Sequence, residues 1–165
     1  MNTASTVPPV IVGVDGSACS VEALSFAARV AHALDAPLEA ITTWTYPLLL
    51  DPFDPSLDRL PKKYAERAAR EAIRAAFQGT PPERFSHRVI PGPPREVLIE
   101  LSDKASMLVL GSHGRGGLAG LILGSVSASC AAHARCPVLV VHEGDAAATD
   151  AETSRHLVDA VPPHE

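Results

Sequence analysis

The stretch "MLVLGSHGRGGLAGLILGS", residues 107–125, holds the reading that decides the fold. It opens with a short apolar run, "MLVLG" at 107–111, whose continuous hydrophobicity marks a strand buried on both faces. Six of the chain's eleven glycines follow within 111–125. From Gly124 to His133 the pattern returns to that of a helix. Glycine weakens helices and strands, so its concentration at a strand-to-helix junction needs a cause.

Outward from this junction the same alternation repeats. "PVIVGVD" (9–15) reads as a first strand. From Ser17, a plausible N-cap, Leu24, Ala27, Ala28, Ala31 and Leu34 recur at helical spacing. "APLEAITTWTYP" (36–47) reads as a second strand, and the proline-broken 48–61 segment as a loop or flap. A helix starts near Pro61, with Ala65, Ala68, Ala69, Ala72, Ile73, Ala76 and Phe77 as its inner stripe, and Gly79 ends it. "RFSHRVIP" (84–91) is a more polar strand and so lies nearer an edge. A short helix at 94–105 and a last strand, "CPVLVVH" at 136–142, complete the pattern. Strands alternating with helices predict an α/β fold, with right-handed crossovers and a mostly parallel sheet covered by helices on both faces.

The 165 residues fit one domain, placed at 1–143, with an acidic, disordered tail at 144–165. Residues 1–142 carry 13 basic and 13 acidic side chains, whereas 143–165 carry six acids and one arginine. A neutral body without a basic stripe argues against nucleic-acid binding. The apolar runs are too short to cross a bilayer and "MNTASTVPPV" does not resemble a signal peptide, so the expectation is a cytoplasmic protein away from membranes. Three cysteines, Cys19, Cys130 and Cys136, suit reduced thiols better than a disulfide framework. Cys130, His133 and Cys136 form C-x2-H-x2-C, but no fourth ligand is apparent and no metal site is expected.

In an open parallel sheet, ligands bind beyond the carboxyl ends of strands, where the strand order reverses. "VGVDGS" places Gly13 and Asp15 at one strand end, and "LVLGSHG" places Gly111, His113 and Gly114 at another. If the two strands are neighbours, both ends face one crevice. The helix start at Gly124, Ser125, Val126 and Ser127 offers unpaired N–H groups and a partial positive charge to a phosphate. Gly124 would let the anion approach, and Gly111 and Gly114 would let the chain bend tightly beside it. A Walker A loop is excluded, because no lysine occurs after Lys104. Gly114 to Ala119 fits G-x-G-x-x-A, a weak match placed too late in the chain for a dinucleotide fold.

Taken together, the chain resembles the ATP-binding subgroup of the universal stress protein (UspA) superfamily over about residues 8–142. The resemblance rests on G-x2-G-x9-G-[ST], here Gly111, Gly114, Gly124 and Ser125, with "IVGVDGS" before it and "HARCPVLVVH" after it. It implies a Rossmann-like, adenine nucleotide alpha hydrolase-like sheet in the order 3-2-1-4-5. It also implies that Asp15, Gly111 and Gly114 lie by the ribose and phosphates, that Gly124 to Ser127 bind the phosphates, and that adenine pairs with backbone near Thr43. Arg115 sits where its charge reaches the outer phosphates. The resemblance further implies a homodimer through the last strand, whose apolar edge would otherwise be an open template.

The leading expectation is a stress-response or signalling module that binds ATP, with Mg2+ held mainly by phosphates and water. The alternatives are a slow ATPase or autophosphorylating enzyme, and a nucleotide-free module that binds an unknown downstream protein. His113 reads as a loop residue beside the site rather than a general base, since no nucleophile or orienting acid stands next to it. Trp44 reads as packing beside the pocket.

Overall fold

The apolar run at Val10–Gly13 forms β1, and Leu38–Trp44 forms β2, the two lying parallel with Gly13 opposite Ile41. Phe85–Pro91 forms β3, Met107–Gly111 β4 and Val138–Val141 β5. The computed structural model describes residues 7–46, 60–115 and 123–144. The 48–61 loop up to residue 59, the interior of the glycine stretch at 116–122 and the acidic tail beyond Gly144 lie outside the described residues.

All strand pairs are parallel and the order is β3-β2-β1-β4-β5, as the resemblance implied. The sheet therefore reverses direction of growth between β1 and β4, which stand side by side. Four helices connect the strands: α1 (Ala18–Ala33), α2 (Leu60–Phe77), α3 (Pro94–Ser102) and α4 (Ser125–His133). β1 divides the core by alternation. Val10, Val12 and Val14 pack with α1 and α2 on one face, and Ile11 packs with α3 and α4 on the other.

Local chemistry explains most boundaries. Ser17 caps α1 by accepting from the Ser20 N–H, and Ala23, Leu24, Ala27 and Ala31 are buried along its inner face. Leu34, expected on that stripe, is instead the exposed C-cap, because the helix stops one residue before it. α2 ends where Gln78 and Gly79 both take positive φ; at Gly79 φ is +88°, which favours glycine. β3 is an edge strand, as its polarity suggested.

The strand ends and one helix end differ from the sequence reading. α3 stops at Ser102 rather than 105. Beyond it the N–H groups of Asp103, Lys104 and Ala105 reach back only three residues, as the chain tightens before Ser106 joins Pro9. The Ser102 hydroxyl also donates to Ile99 O and accepts from Arg135 N–H, pinning that end. β1, β2 and β5 are each shorter than their apolar runs. For β1 the reason is the neighbours: its pairing with β4 stops at Val12 and its pairing with β2 at Gly13.

Candidate functional site

β1 ends opposite Ile41, whereas β2 continues through Trp44 paired with β3 alone. This unequal length opens a crevice at the carboxyl end of the sheet. In a parallel strand the N–H and C=O of one residue face the same neighbour, and successive residues alternate. Ile41 O accepts from Val14 N–H, and Trp44 O accepts from Gly92 N–H on the opposite side. Thr43 therefore turns both its backbone groups toward the crevice, past the end of β1. Among the described residues no backbone partner meets them there.

The crevice deepens into a cavity of about 620 Å³, within the range of small-molecule sites. Gly13, Asp15, Thr43, Gly111, His113, Gly114, Arg115, Gly124, Ser125, Val126 and Ser127 all line it. The fold thus brings every candidate residue named from the sequence to one space, from three strand ends and one helix start.

Asp15 links the two sides of this space. Its Oδ1 accepts from the Ser17 N–H at 2.9 Å and from the Ser17 hydroxyl at 2.6 Å, and its Oδ2 accepts from the Arg115 N–H at 2.9 Å. Burial pushes the carboxyl pKa up, but the hydrogen bonds from Ser17 and Arg115 outweigh it, and the net direction is downward. The carboxylate is thus held ionised between the start of α1 and the glycine loop.

The glycines have a different reason from the one expected. Neither Gly111 nor Gly114 takes a positive φ, so neither is there to bend the chain. Close approach requires them. A Cβ on Gly111 would lie 2.8 Å from Cys19 Cβ and 2.9 Å from the Cys19 carbonyl carbon. A Cβ on Gly114 would lie 2.7 Å from Asp15 Oδ2, and one on Gly124 would lie 3.3 Å from Ser112 O. Gly124 N–H also donates to Ser112 O at 2.7 Å. The spaced glycines let β4, the loop after it, α1 and α4 close on one another around the cavity.

Gly124 is the N-cap of α4, and no side chain caps this helix among the described residues. The N–H groups of its first turn, at cavity-lining residues, carry the partial positive charge of the helix start. The Ser127 hydroxyl donates to Gly111 O at 2.7 Å, so its proton ties α4 to β4 instead of serving a ligand. Ser112 Oγ lies 3.1 Å from His113 Nδ1 and 3.8 Å from Cys19 Sγ. The Arg115 guanidinium lies beside Gly16, next to Ala68 of α2, at the rim.

Trp44 lines the cavity and meets Tyr46 edge-on, with ring centroids 4.8 Å apart. Its indole N–H is buried and has no partner among the described residues. C-x2-H-x2-C gathers no metal centre: among the described residues no three candidate ligands cluster. Cys130 is buried in the α3–α4 side of the core, where burial pushes its thiol up to about 11. His133 Nδ1 faces Ser129 O, one turn back.

Sequence reasoning missed two walls. Pro61, Tyr64, Ala65 and Ala68 of α2 close one side, and Pro94 and Leu98 of α3 close the other. The signal was present in part: Tyr64 is an aromatic residue outside the core stripe of α2, spaced with Pro61 and Ala68 on one face.

A parallel sheet with a cavity at its point of reversal, lined by a helix start and a half-buried carboxylate, defines a single-sheet α/β domain with one continuous space at the strand ends. The chain belongs to the universal stress protein family: the model of the Universal stress protein family matches residues 7–142. It is 34% identical over 159 residues to Universal stress protein Rv2005c of Mycobacterium tuberculosis, covering 90% of this chain and 52% of that one. It is 35% identical over 134 residues to a universal stress protein of Mycolicibacterium smegmatis, covering 81% and 45%. The chain thus spans about half the length of these curated relatives. Among solved structures, a universal stress protein in complex with cAMP is 32% identical, with a TM-score of 0.60 and coverage of 84% and 99%. Universal stress protein UspA from Lactobacillus plantarum has the same fold, with a TM-score of 0.70 at 23% identity, covering 81% and 97%.

Proposed function

We propose that this protein is an adenine-nucleotide-binding module that holds ATP in the cavity. The carrying observation is the uncapped start of α4 opening into that cavity, opposite the Thr43 backbone. Phosphates satisfy the helix's unpaired N–H groups and meet its positive end. Thr43 offers a donor and an acceptor side by side, which matches the paired acceptor and donor on the adenine edge. Asp15 and the loop at Gly111 to Arg115 flank the ribose and phosphates between these two ends. The solved relative in complex with cAMP supports an adenine nucleotide as the ligand class.

Asp15 is the one acid among the described lining residues, and its oxygens already accept from Ser17 and Arg115. A Mg2+ ion would therefore rest mainly on phosphate oxygens and water, with Asp15 as the nearest protein carboxylate; it would neutralise phosphate charge. No lysine is among those lining residues, which supports a binder over a fast phosphoryl-transfer enzyme. The protein serves as a signalling module of the cytoplasm, and no described helix is long and apolar enough to cross a membrane. Two copies pair through β5, the edge strand, where Val138, Leu139 and Val140 remain half-buried.

A melting-temperature screen against ATP, AMP, cAMP, NAD and FMN tests the ligand class. ATP at 100 times its Kd should add about 2.7 kcal/mol of stability. No shift with any adenine nucleotide would refute the reading.

A further inference from the structure

We infer that Tyr64 of α2 is the base-stacking and specificity-determining side chain of this cavity, a role that rests on the adenine-nucleotide reading above. The inference starts from the orientation of Thr43. Its backbone groups point along the sheet, past the end of β1, so a base that pairs with them lies as an extension of the sheet. The two faces of that base then look toward the two helical layers. α1 and α2 cover one face of the sheet, and α3 and α4 the other.

On the α2 side the described lining residues are Pro61, Tyr64, Ala65 and Ala68; on the α3 side they are Pro94 and Leu98. α2 divides its labour by face. Ala72, Ile73, Ala76 and Phe77 pack in the core with α1, whereas Tyr64 stands in the N-terminal half over the crevice. The two alanines leave room for a flat ring, and beside Pro61, Tyr64 is the aromatic side chain of that wall among the described residues. It remains 65% exposed, so packing does not consume its ring. Trp44 and Tyr46 already use their rings on each other, whereas among the described residues Tyr64 has no aromatic partner. An aromatic ring free to lie on a base, above a donor–acceptor pair that reads the base edge, selects for nucleotides over plain polyphosphates.

Calorimetric titration of the full chain and its Tyr64→Ala and Tyr64→Phe variants with ATP and with tripolyphosphate tests this. Tyr64→Ala should bind ATP about tenfold more weakly. Tyr64→Phe should retain wild-type affinity, and tripolyphosphate should bind all three proteins alike. An unchanged melting temperature of Tyr64→Ala, expected from its exposure, shows that the helix stays in place. If Tyr64→Ala binds ATP as wild type does, or loses tripolyphosphate affinity in step with ATP, the role assigned to Tyr64 is wrong. Failure of the wild-type protein to bind ATP would instead sink the nucleotide reading itself.

Discussion

Asp15 is the residue on which the site's geometry turns, because one carboxylate holds the start of α1 and the glycine loop together. Asp15→Ala removes the acceptor for three donors. It should cost about 1–3 kcal/mol of stability, read by urea denaturation, and weaken ATP binding more than Cys130→Ser does. The pH dependence follows from the direction of its pKa, which is lowered on folding. The unfolded chain then binds the proton first as pH falls, so the stabilisation is complete above the unfolded pKa near 4 and disappears as pH drops through the folded value. As pH falls below about 4 the wild type should progressively lose this increment, and Asp15→Ala should show a correspondingly flatter curve. An equal acid sensitivity would contradict the role given to the carboxylate. At Gly111, alanine would press its Cβ against the Cys19 backbone, and about 1–3 kcal/mol of destabilisation is expected in the same assay. The sequence showed that glycine mattered at positions 111, 114 and 124. It did not show why, because the crowding comes from Cys19, Asp15 and Ser112, which reach those positions only once the chain has folded.

At the scale of elements, α4 carries the anion-binding argument and is tied to β4 through Ser127. Ser127→Ala frees the Gly111 carbonyl and should destabilise by about 1 kcal/mol, measured by thermal unfolding. If the tether positions the helix start, ATP affinity should fall as well; unchanged affinity would leave Ser127 a purely structural contact. Existence and type of every described element were legible from apolar runs and spacing, and β4 matches its run of 107–111 to the residue. β1 and β2 were read too long, because a strand ends where its neighbours stop pairing, which no local pattern encodes. That same mismatch hid the α2 wall. Ala65 and Ala68 look like ordinary core positions in the sequence, and only the overhang of α2 beyond the end of β1 makes them line a cavity. Ala68→Leu should fill that space and abolish nucleotide binding, with a loss of heat in calorimetry as the readout.

For the whole molecule, the five-strand alternation and the spaced glycines pointed to a parallel sheet with a crevice at its strand ends, whereas the sheet order came from the resemblance to the universal stress protein family. The eleven candidate residues line one cavity because they lie at strand ends, in the loop directly after β4 or at the start of α4, where topology gathers them. The two helical walls stayed unread because they depend on how α2 and α3 lie across the sheet, which spacing alone does not determine. Pairing of two copies through β5 predicts a dimer mass by light scattering, and Val140→Lys should shift it toward the monomer; a monomeric wild type would contradict that pairing. The most direct measurement of the central claim is a crystal structure of the protein grown with ATP. The account predicts phosphates against the backbone N–H groups of Ser125 to Ser127 and the adenine edge on the backbone of Thr43. Nucleotide bound elsewhere, or that helix start closed off by side chains, would contradict it.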